Sequence, residues 1–591
     1  MKKLSNFAVV FVSAIALTFA FIATQSLAMT ALSSQGMVVA MNFDAAKVGA
    51  EILEKGGNAF DAAIAVSLAL GVVEPYGSGL GGEGYIVART ADGNRFALDF
   101  RSVAPRMATY GSIEKSGLSF AEAMQTLKGV GVFSLPAALE YIHQKAATMP
   151  MEALAEPAIH LAQDGFAVNK QFAQAVTLEY EKLLRSAQGF LKESILPWEE
   201  GDWYSNPSLA ETLRIFGREG AKAFYNGSIA DSIEIFMKKN GGWLRKEDFQ
   251  NYRVIEKVPL HGTYRGYDIY VSDMPAGGPR LIETLNILEK FNMSAFDWDD
   301  PLRIHIMQEV FILTALDQEK YVGDRDFSSL PKQALTDKKY AERRFMEINL
   351  SKASLPQSWK KRYGNPLPFE ENQGFTDVLL QEIDTTSTRA KSIEKEEAFS
   401  VESPTTTHFA VMDKDGNVVS CTQTISDFFG TGYWINGFFL NNELNNFSGD
   451  ATYGAPLYLE GGKRPRTTIA PLIIEKDGKV AWVLGTPGGG RIVSTLVQII
   501  VDLIDFDMSL EDAVKSPKFV GYVLYPELRM EKGFSTKTVD CLQNFFGHVV
   551  KVYEYPDMFF GGLNMIEVQE NGSIKGVGSF RRSGSAVAPE N

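Results

Sequence analysis

In the last third of the chain, residues 407–412 and 418–424 alternate apolar with small or polar side chains around an Asp413-Lys414-Asp415-Gly416-Asn417 turn. Period-two alternation about such a turn predicts a β-hairpin. The stretch before it, residues 381–404, is polar, charged and aperiodic, which predicts a flexible loop running into the hydroxyl triplet Thr405-Thr406-Thr407. Further strands are predicted at 37–42 and 85–89, in a hairpin over 89–100 turning at Ala91-Asp92-Gly93-Asn94, near 258–271, over 433–440, and in a pair at 468–475 and 479–485. Helical patterns cover 44–55, with Asp44 as cap and Gly56-Gly57 as stop, then 59–70, most of 118–346, 492–504 and a short stretch near Leu510. The 59–70 pattern is rich in alanine and apolar on nearly every side, which predicts a buried helix. No repeat of fixed period is present, and strand pairs alternating with buried helices predict a layered α/β sandwich.

Composition narrows the classes of partner. A chain of 591 residues that is 45% hydrophobic can bury a large core. A net charge of −14 without a basic cluster argues against nucleic acid, because phosphate binding needs a Lys/Arg footprint. Two cysteines, Cys421 and Cys541, make no disulfide framework and have no metal-ligand spacing, and Cys421 is expected to be a small core residue. At the N-terminus, Lys2 and Lys3 precede an apolar run over 7–23 and the small-x-small sequence Ser26-Leu27-Ala28. This is read as a secretory signal peptide, residues 1–28, cut after Ala28, with an uncleaved anchor as the alternative. With no other segment long and apolar enough to span a bilayer, the mature chain is expected to be secreted or periplasmic, without a stable membrane span.

Several constellations bear on chemistry. Gly77, Gly79 and Gly82 spell G-x-G-x-x-G, but the predicted order is helix before and strand after, the reverse of a dinucleotide site. The glycines are expected instead to let backbone pack closely against a neighbour. The six histidines form no H-E-x-x-H and no Cys/His cluster, so neither metal nor cofactor is expected. No G-x-S-x-G elbow is present. His408 shares a strand face with Thr406 but lies ~6–7 Å along, too far for a direct hydrogen bond, and is expected to be structural. Gly488-Gly489 after Pro487 reads either as a tight turn or as a pair of oxyanion donors at a helix N-terminus. Cleavage before one of the three threonines would leave a hydroxyl nucleophile and an α-amine on a single residue.

Taken together the motifs resemble the γ-glutamyltranspeptidase (glutathione hydrolase) family. They include Gly56-Gly57-Asn58-Ala59, Leu80-Gly81-Gly82-Glu83-Gly84, Asp99-Phe100-Arg101, Phe224-Tyr225-Asn226-Gly227, Lys246-Glu247-Asp248-Phe249, Thr406-Thr407-His408-Phe409, Leu440-Asn441-Asn442-Glu443, Lys463-Arg464-Pro465 and Pro487-Gly488-Gly489-Gly490-Arg491. The resemblance spans about 36–584 in family order. It implies an N-terminal nucleophile hydrolase with a four-layer αββα sandwich. The chain is expected to cut itself between Thr405 and Thr406 into a large subunit, 29–405, and a small one, 406–591, which stay together as a heterodimer. Thr406 then matches the nucleophile, whose freed amine can take the hydroxyl proton near neutral pH. Thr424 matches the threonine that hydrogen-bonds it, Gly488 and Gly489 the oxyanion hole, and Arg101 the arginine that grips a substrate α-carboxylate.

Departures from the family pattern fall in the acyl pocket. Thr467 and Thr468 stand where paired serines are usual, Ser426 where an asparagine is usual, and Asn446 where an aspartate holds the substrate's α-ammonium; Glu443 keeps the family's Glu/Gln position. An amide in place of a carboxylate weakens a charge-assisted hydrogen bond by roughly half. The expected activity is transfer of a γ-glutamyl group, from a donor such as glutathione, to water or an amine through a threonine ester. A glutaryl or cephalosporin-acylase-like amidase is the second expectation, and a non-catalytic exported relative that only binds is the third.

Overall fold

The computed structural model describes residues 29–359, 361–370, 405–521 and 527–590; the expected signal peptide and the polar loop over 381–404 lie outside them. Its core is two seven-stranded antiparallel sheets lying face to face. The strands in chain order are β1 (Thr30–Ser33), β2 (Gly36–Ala40), β3 (Glu83–Arg89), β4 (Arg95–Phe100), β5 (Ile255–Lys257), β6 (Leu260–Tyr264), β7 (Tyr267–Val271), β8 (Thr407–Asp413), β9 (Val418–Thr424), β10 (Leu472–Lys476), β11 (Lys479–Gly485), β12 (Asn564–Val568), β13 (Ile574–Gly578) and β14 (Ser585–Val587). One sheet runs β14–β2–β8–β9–β3–β4–β5 and the other β1–β13–β12–β11–β10–β7–β6. The predicted hairpin is β8 and β9, and it occupies the middle of the first sheet, paired with β2 on one side and β3 on the other.

Alternation along each strand explains the layering. Met37 and Val39 of β2, Ala410 and Met412 of β8, and Val418 of β9 face inward, where they meet Ile473, Val483 and Ile566 of the second sheet. Their neighbours Val38, Ala40, Phe409, Val411, Val419 and Cys421 face outward against helices α1 (Phe43–Glu54), α2 (Ala59–Val73) and α3 (Met151–Asp164). On the far side, α4 (Gly278–Leu288), α5 (Pro301–Tyr321) and α6 (Ile492–Ile504) cover Ile269, Leu472, Ile474, Leu484 and Met565. The result is the αββα sandwich. Helix α2 is buried along all but one of its fifteen residues, and its alanines let it run tightly against α1 and the sheet. Asn58 and Asp61 close its N-terminus as a capping box, a device worth about 1 kcal/mol.

Several local readings are corrected. Asn42, not Asp44, caps α1, accepting from the Asp44 amide, while Gly56 and Gly57 end it as expected through amide bonds to Leu53 and Ile52. The strand expected from 468 begins only at Leu472, because Thr467 and Ile469 pair their backbones with Pro275 and Gly277 in a loop. The stretch 433–440 keeps only two two-residue strands, Trp434–Ile435 and Phe438–Phe439. Cys421 is buried, and both cysteines are free thiols. Among the described residues no helix is long and apolar enough to cross a membrane.

Candidate active site

Thr406 enters β8 one residue before its first paired position, in the middle of the first sheet. Its hydroxyl is 3.3 Å from the hydroxyl of Thr424, which ends the facing strand β9. Both threonines are buried. The Thr424 hydroxyl in turn accepts the amide of Ser426 at 3.0 Å. Ser426 has φ 78°, a left-handed conformation that costs a non-glycine residue on the order of 1 kcal/mol and that asparagine tolerates better. In the uncut chain the Ser426 carbonyl accepts the Thr405 hydroxyl, so both residues of the expected cut are held from the β9 side.

The glycine run ahead of β3 is what lets these elements close up. A Cβ on Gly77 would lie 2.5 Å from the Thr405 carbonyl oxygen, one on Gly82 2.4 Å from that of Thr424, and one on Gly81 2.1 Å from that of Phe439. This is the close backbone approach read from the sequence, and it occurs at the candidate cut. His408 is fully buried, bonded through Nδ1 to the Thr422 hydroxyl at 2.8 Å, and burial pushes its imidazole down to about 3. It is therefore neutral at working pH and packs against Gly485 of β11, away from the base's role.

From Thr424 a hydrogen-bonded chain leads to Arg101. Asn446 donates to the Ser426 hydroxyl at 3.3 Å and to Glu443 Oε2 at 3.0 Å; both sit on the single turn Glu443–Asn446. Glu443 Oε2 is 2.9 Å from Arg101 Nη1, while its Oε1 is buried with no hydrogen-bond partner among the described residues. Burial raises the Glu443 carboxyl to about 7, and Arg101 holds it from going further. Arg101, 1% exposed, donates through Nε to the Pro465 carbonyl at 2.9 Å and through Nη2 to the Arg466 carbonyl at 3.2 Å. Those carbonyls immediately precede Thr467 and Thr468. The Thr468 hydroxyl donates to the Gly489 carbonyl at 2.6 Å, and the Thr467 hydroxyl accepts the Ile469 amide at 3.3 Å.

Gly488 and Gly489 adopt φ 139° and 54°, which only glycine takes easily, and they open the short turn that leads into α6. Amides at such a start have no acceptor within the helix and are free to meet an anion. The loop leaves β11, which packs at Gly485 on His408, two residues along β8 from Thr406. Thr405, Thr406, Thr424, Ser426, Asn446, Glu443 and Arg101 lie on one connected run of contacts, and Thr468 joins Gly489 separately. Three groups were missed. Glu83 ion-pairs with Arg101 and accepts the Ser102 amide at 2.7 Å. Glu74 and Tyr76 line a pocket of about 290 Å³, including the open space at its mouth, together with Thr405 and Thr406. Burial pushes the Glu74 carboxyl up to about 7. The available signal was charge inside a glycine-rich run, which a reading for turns alone passes over.

The model of the gamma-glutamyltranspeptidase family matches residues 45–589. The chain belongs to the γ-glutamyltranspeptidase family. Among its relatives, a glutathione hydrolase proenzyme of Escherichia coli (strain K12) is 37% identical over 536 residues, covering 86% of this chain and 85% of the relative. An Acylase ACY 1 proenzyme of Pseudomonas sp. (strain V22) is 31% identical over 571 residues, covering 94% of each chain. Among solved structures, a cephalosporin acylase from Bacillus halodurans superposes with a TM-score of 0.81 at 25% identity, over 95% of this chain and 97% of that one. This γ-glutamyltranspeptidase-family member is therefore an N-terminal nucleophile hydrolase in fold and an enzyme by kinship, with glutathione hydrolases and acylases both among its relatives. Among its described residues no group of three or more His, Cys, Asp or Glu side chains is arranged to hold a metal ion.

Proposed function

We propose that this protein is an exported, self-processing γ-glutamyl hydrolase and transferase whose nucleophile is Thr406. The observation that carries the reading is the unbroken run of contacts from the Thr406 hydroxyl through Thr424, Ser426, Asn446 and Glu443 to Arg101. Cleavage of the Thr405–Thr406 peptide gives subunits 29–405 and 406–591 and frees the Thr406 amine. With a reference pKa near ~7.7–8.0, that amine accepts the hydroxyl proton as Oγ1 attacks the donor's amide carbon. The Gly488 and Gly489 amides stabilise the tetrahedral oxyanion, and the amine's proton passes to the leaving nitrogen. The resulting γ-glutamyl ester on Thr406 is released to water or to an amine acceptor. Donors of the glutathione type follow from the glutathione hydrolase proenzyme relatives. A glutaryl-type acylase is the second reading, favoured by the acylase relatives and by Asn446 standing where a carboxylate would grip an ammonium.

Two measurements test this. On a denaturing gel the purified protein should run as two fragments, and N-terminal sequencing of the smaller should begin at Thr406; a single uncut chain would favour a non-catalytic binder. With processed protein, γ-glutamyl-p-nitroanilide should be hydrolysed, and Thr406→Ala should abolish both cleavage and turnover. A cut elsewhere, or full turnover by the Thr406→Ala chain, would overturn the reading.

A further inference from the structure

Arg101 is not a free cation. Its guanidinium lies between two buried carboxylates, Glu83 and Glu443, and its Nε and Nη2 donate to the Pro465 and Arg466 carbonyls. Glu83 and Glu443 are fully buried and Arg101 is 1% exposed. Glu83 is fixed from behind as well, since its Oε2 accepts the Ser102 amide at 2.7 Å. One guanidinium is thus shared between two carboxyl groups before any ligand arrives, and a shared cation attracts a further carboxylate less than a free one does. Of the two threonine hydroxyls expected at that end, that of Thr468 is committed to the Gly489 carbonyl, while that of Thr467 accepts the Ile469 amide. Meanwhile Glu443 Oε1 is a buried acceptor without a partner among the described residues. An unpaired buried carboxylate oxygen is costly, and an ammonium group is the ligand that satisfies it best.

We propose that Glu83 is a specificity-determining residue, which occupies Arg101 so that the pocket holds the acyl group by its amine, through Glu443, and gains little from a carboxylate. This deepens the γ-glutamyl reading above and rests on it. The preferred class is an amide of an acyl group bearing an amine some three carbons from the carbonyl, with or without a neighbouring carboxylate. Carboxylate-only acyl groups are poor donors.

The experiment uses the self-processed chain and four p-nitroanilides: γ-glutamyl (amine and carboxylate), 4-aminobutyryl (amine only), glutaryl (carboxylate only) and butyryl (neither). The 4-aminobutyryl donor should come within about tenfold of γ-glutamyl in kcat/KM, and glutaryl should fall at least about tenfold below both, the worth of one charge-assisted contact. In Glu83→Gln, which keeps an acceptor for the Ser102 amide but frees Arg101's charge, glutaryl should gain at least about tenfold relative to 4-aminobutyryl. Self-cleavage reports whether that variant folds. If it does not fold, competition in the wild type decides, with 4-aminobutyrate inhibiting more strongly than glutarate. A preference for γ-glutamyl over 4-aminobutyryl of about a hundredfold, or an unchanged glutaryl ratio in folded Glu83→Gln, or stronger inhibition by glutarate, overturns the proposal while leaving the γ-glutamyl reading intact. A processed chain that hydrolyses none of the four overturns both.

Discussion

Glu443→Gln separates the amine-binding role of Glu443 from every other role in the pocket. The side chain is fully buried, its Oε2 contacts Arg101 and Asn446, and its Oε1 is free to meet an ammonium. Glutamine keeps the shape and an acceptor, and Glu83 remains to balance Arg101, so the fold should survive. Losing one charge-assisted contact costs about 1.5–3 kcal/mol, or roughly 10–150-fold in kcat/KM for an amine-bearing donor at pH 8. The pH dependence follows from the raised carboxyl. Burial, opposed by Arg101 and helped by Asp427, leaves Glu443 at about 7, and the ammonium-binding form is the ionised one. Its fraction falls from about nine-tenths at pH 8 to about one-tenth at pH 6, so the wild type loses about tenfold on acidification that the glutamine variant does not. Titration of the Thr406 amine affects both proteins alike and cancels in their ratio. Stopped-assay kcat/KM for γ-glutamyl-p-nitroanilide, taken as the wild-type to variant ratio at pH 6, 7 and 8, is the measurement. A ratio that stays constant across that range, or is under about threefold at pH 8, would refute the reasoning.

Other positions give sharper structural tests. Thr424→Val removes the hydroxyl 3.3 Å from the nucleophile and the acceptor of the Ser426 amide; kcat/KM should fall about tenfold, and in the uncut Thr406→Ala chain stability should fall by about 1–3 kcal/mol in urea, with Thr424→Ser largely restoring both. Glu74→Gln should stabilise the fold above neutral pH. The wild-type carboxyl, raised by burial to about 7 from 4.5, binds its proton more tightly when folded, so stability is lost as pH rises from 4.5 to about 7. The gain should approach about 3 kcal/mol at pH 8 and vanish at pH 4, read from urea midpoints of the uncut Thr406→Ala chain; equal midpoint shifts at both pH values would contradict it. Gly81→Ala drives a methyl to 2.1 Å from the Phe439 carbonyl oxygen and should cost about 1–3 kcal/mol, visible as a lower melting temperature and slower self-cleavage.

What was legible in the sequence was what period alone encodes. The β8–β9 hairpin, helix α6 and the buried α2 stand where alternation, helical spacing and an alanine-rich apolar run put them, because a central hairpin and buried helices bury whole faces and leave little freedom of register. Elements whose backbone is captured by distant chain were misread. Thr467 to Pro471 have strand-like side chains, yet their partners are Pro275, Gly277 and Gly489, far away in sequence. The site was legible as a list of residue types, and the structure added who is already paired with whom. Arg101 reads as an available cation until Glu83 is seen against it, since an ion pair eighteen residues long in sequence has no periodic signature.

The strand order carries a consequence for how the molecule is made. In the first sheet β14, β8 and β9 come from beyond Thr406, whereas β2, β3, β4 and β5 come from before it, and β2 is wedged between β14 and β8. The second sheet is shared likewise, with β1 at one edge and β7 and β6 at the other enclosing four strands of the downstream part. Severing the peptide before Thr406 therefore detaches nothing: rungs of both ladders simply become bonds between two polypeptides. Neither piece owns a whole sheet, so each loses the strands that flank its own if the two are parted. On the proposed cut before Thr406, the molecule would keep a form that its pieces, renatured from denaturant, should not regain in good yield.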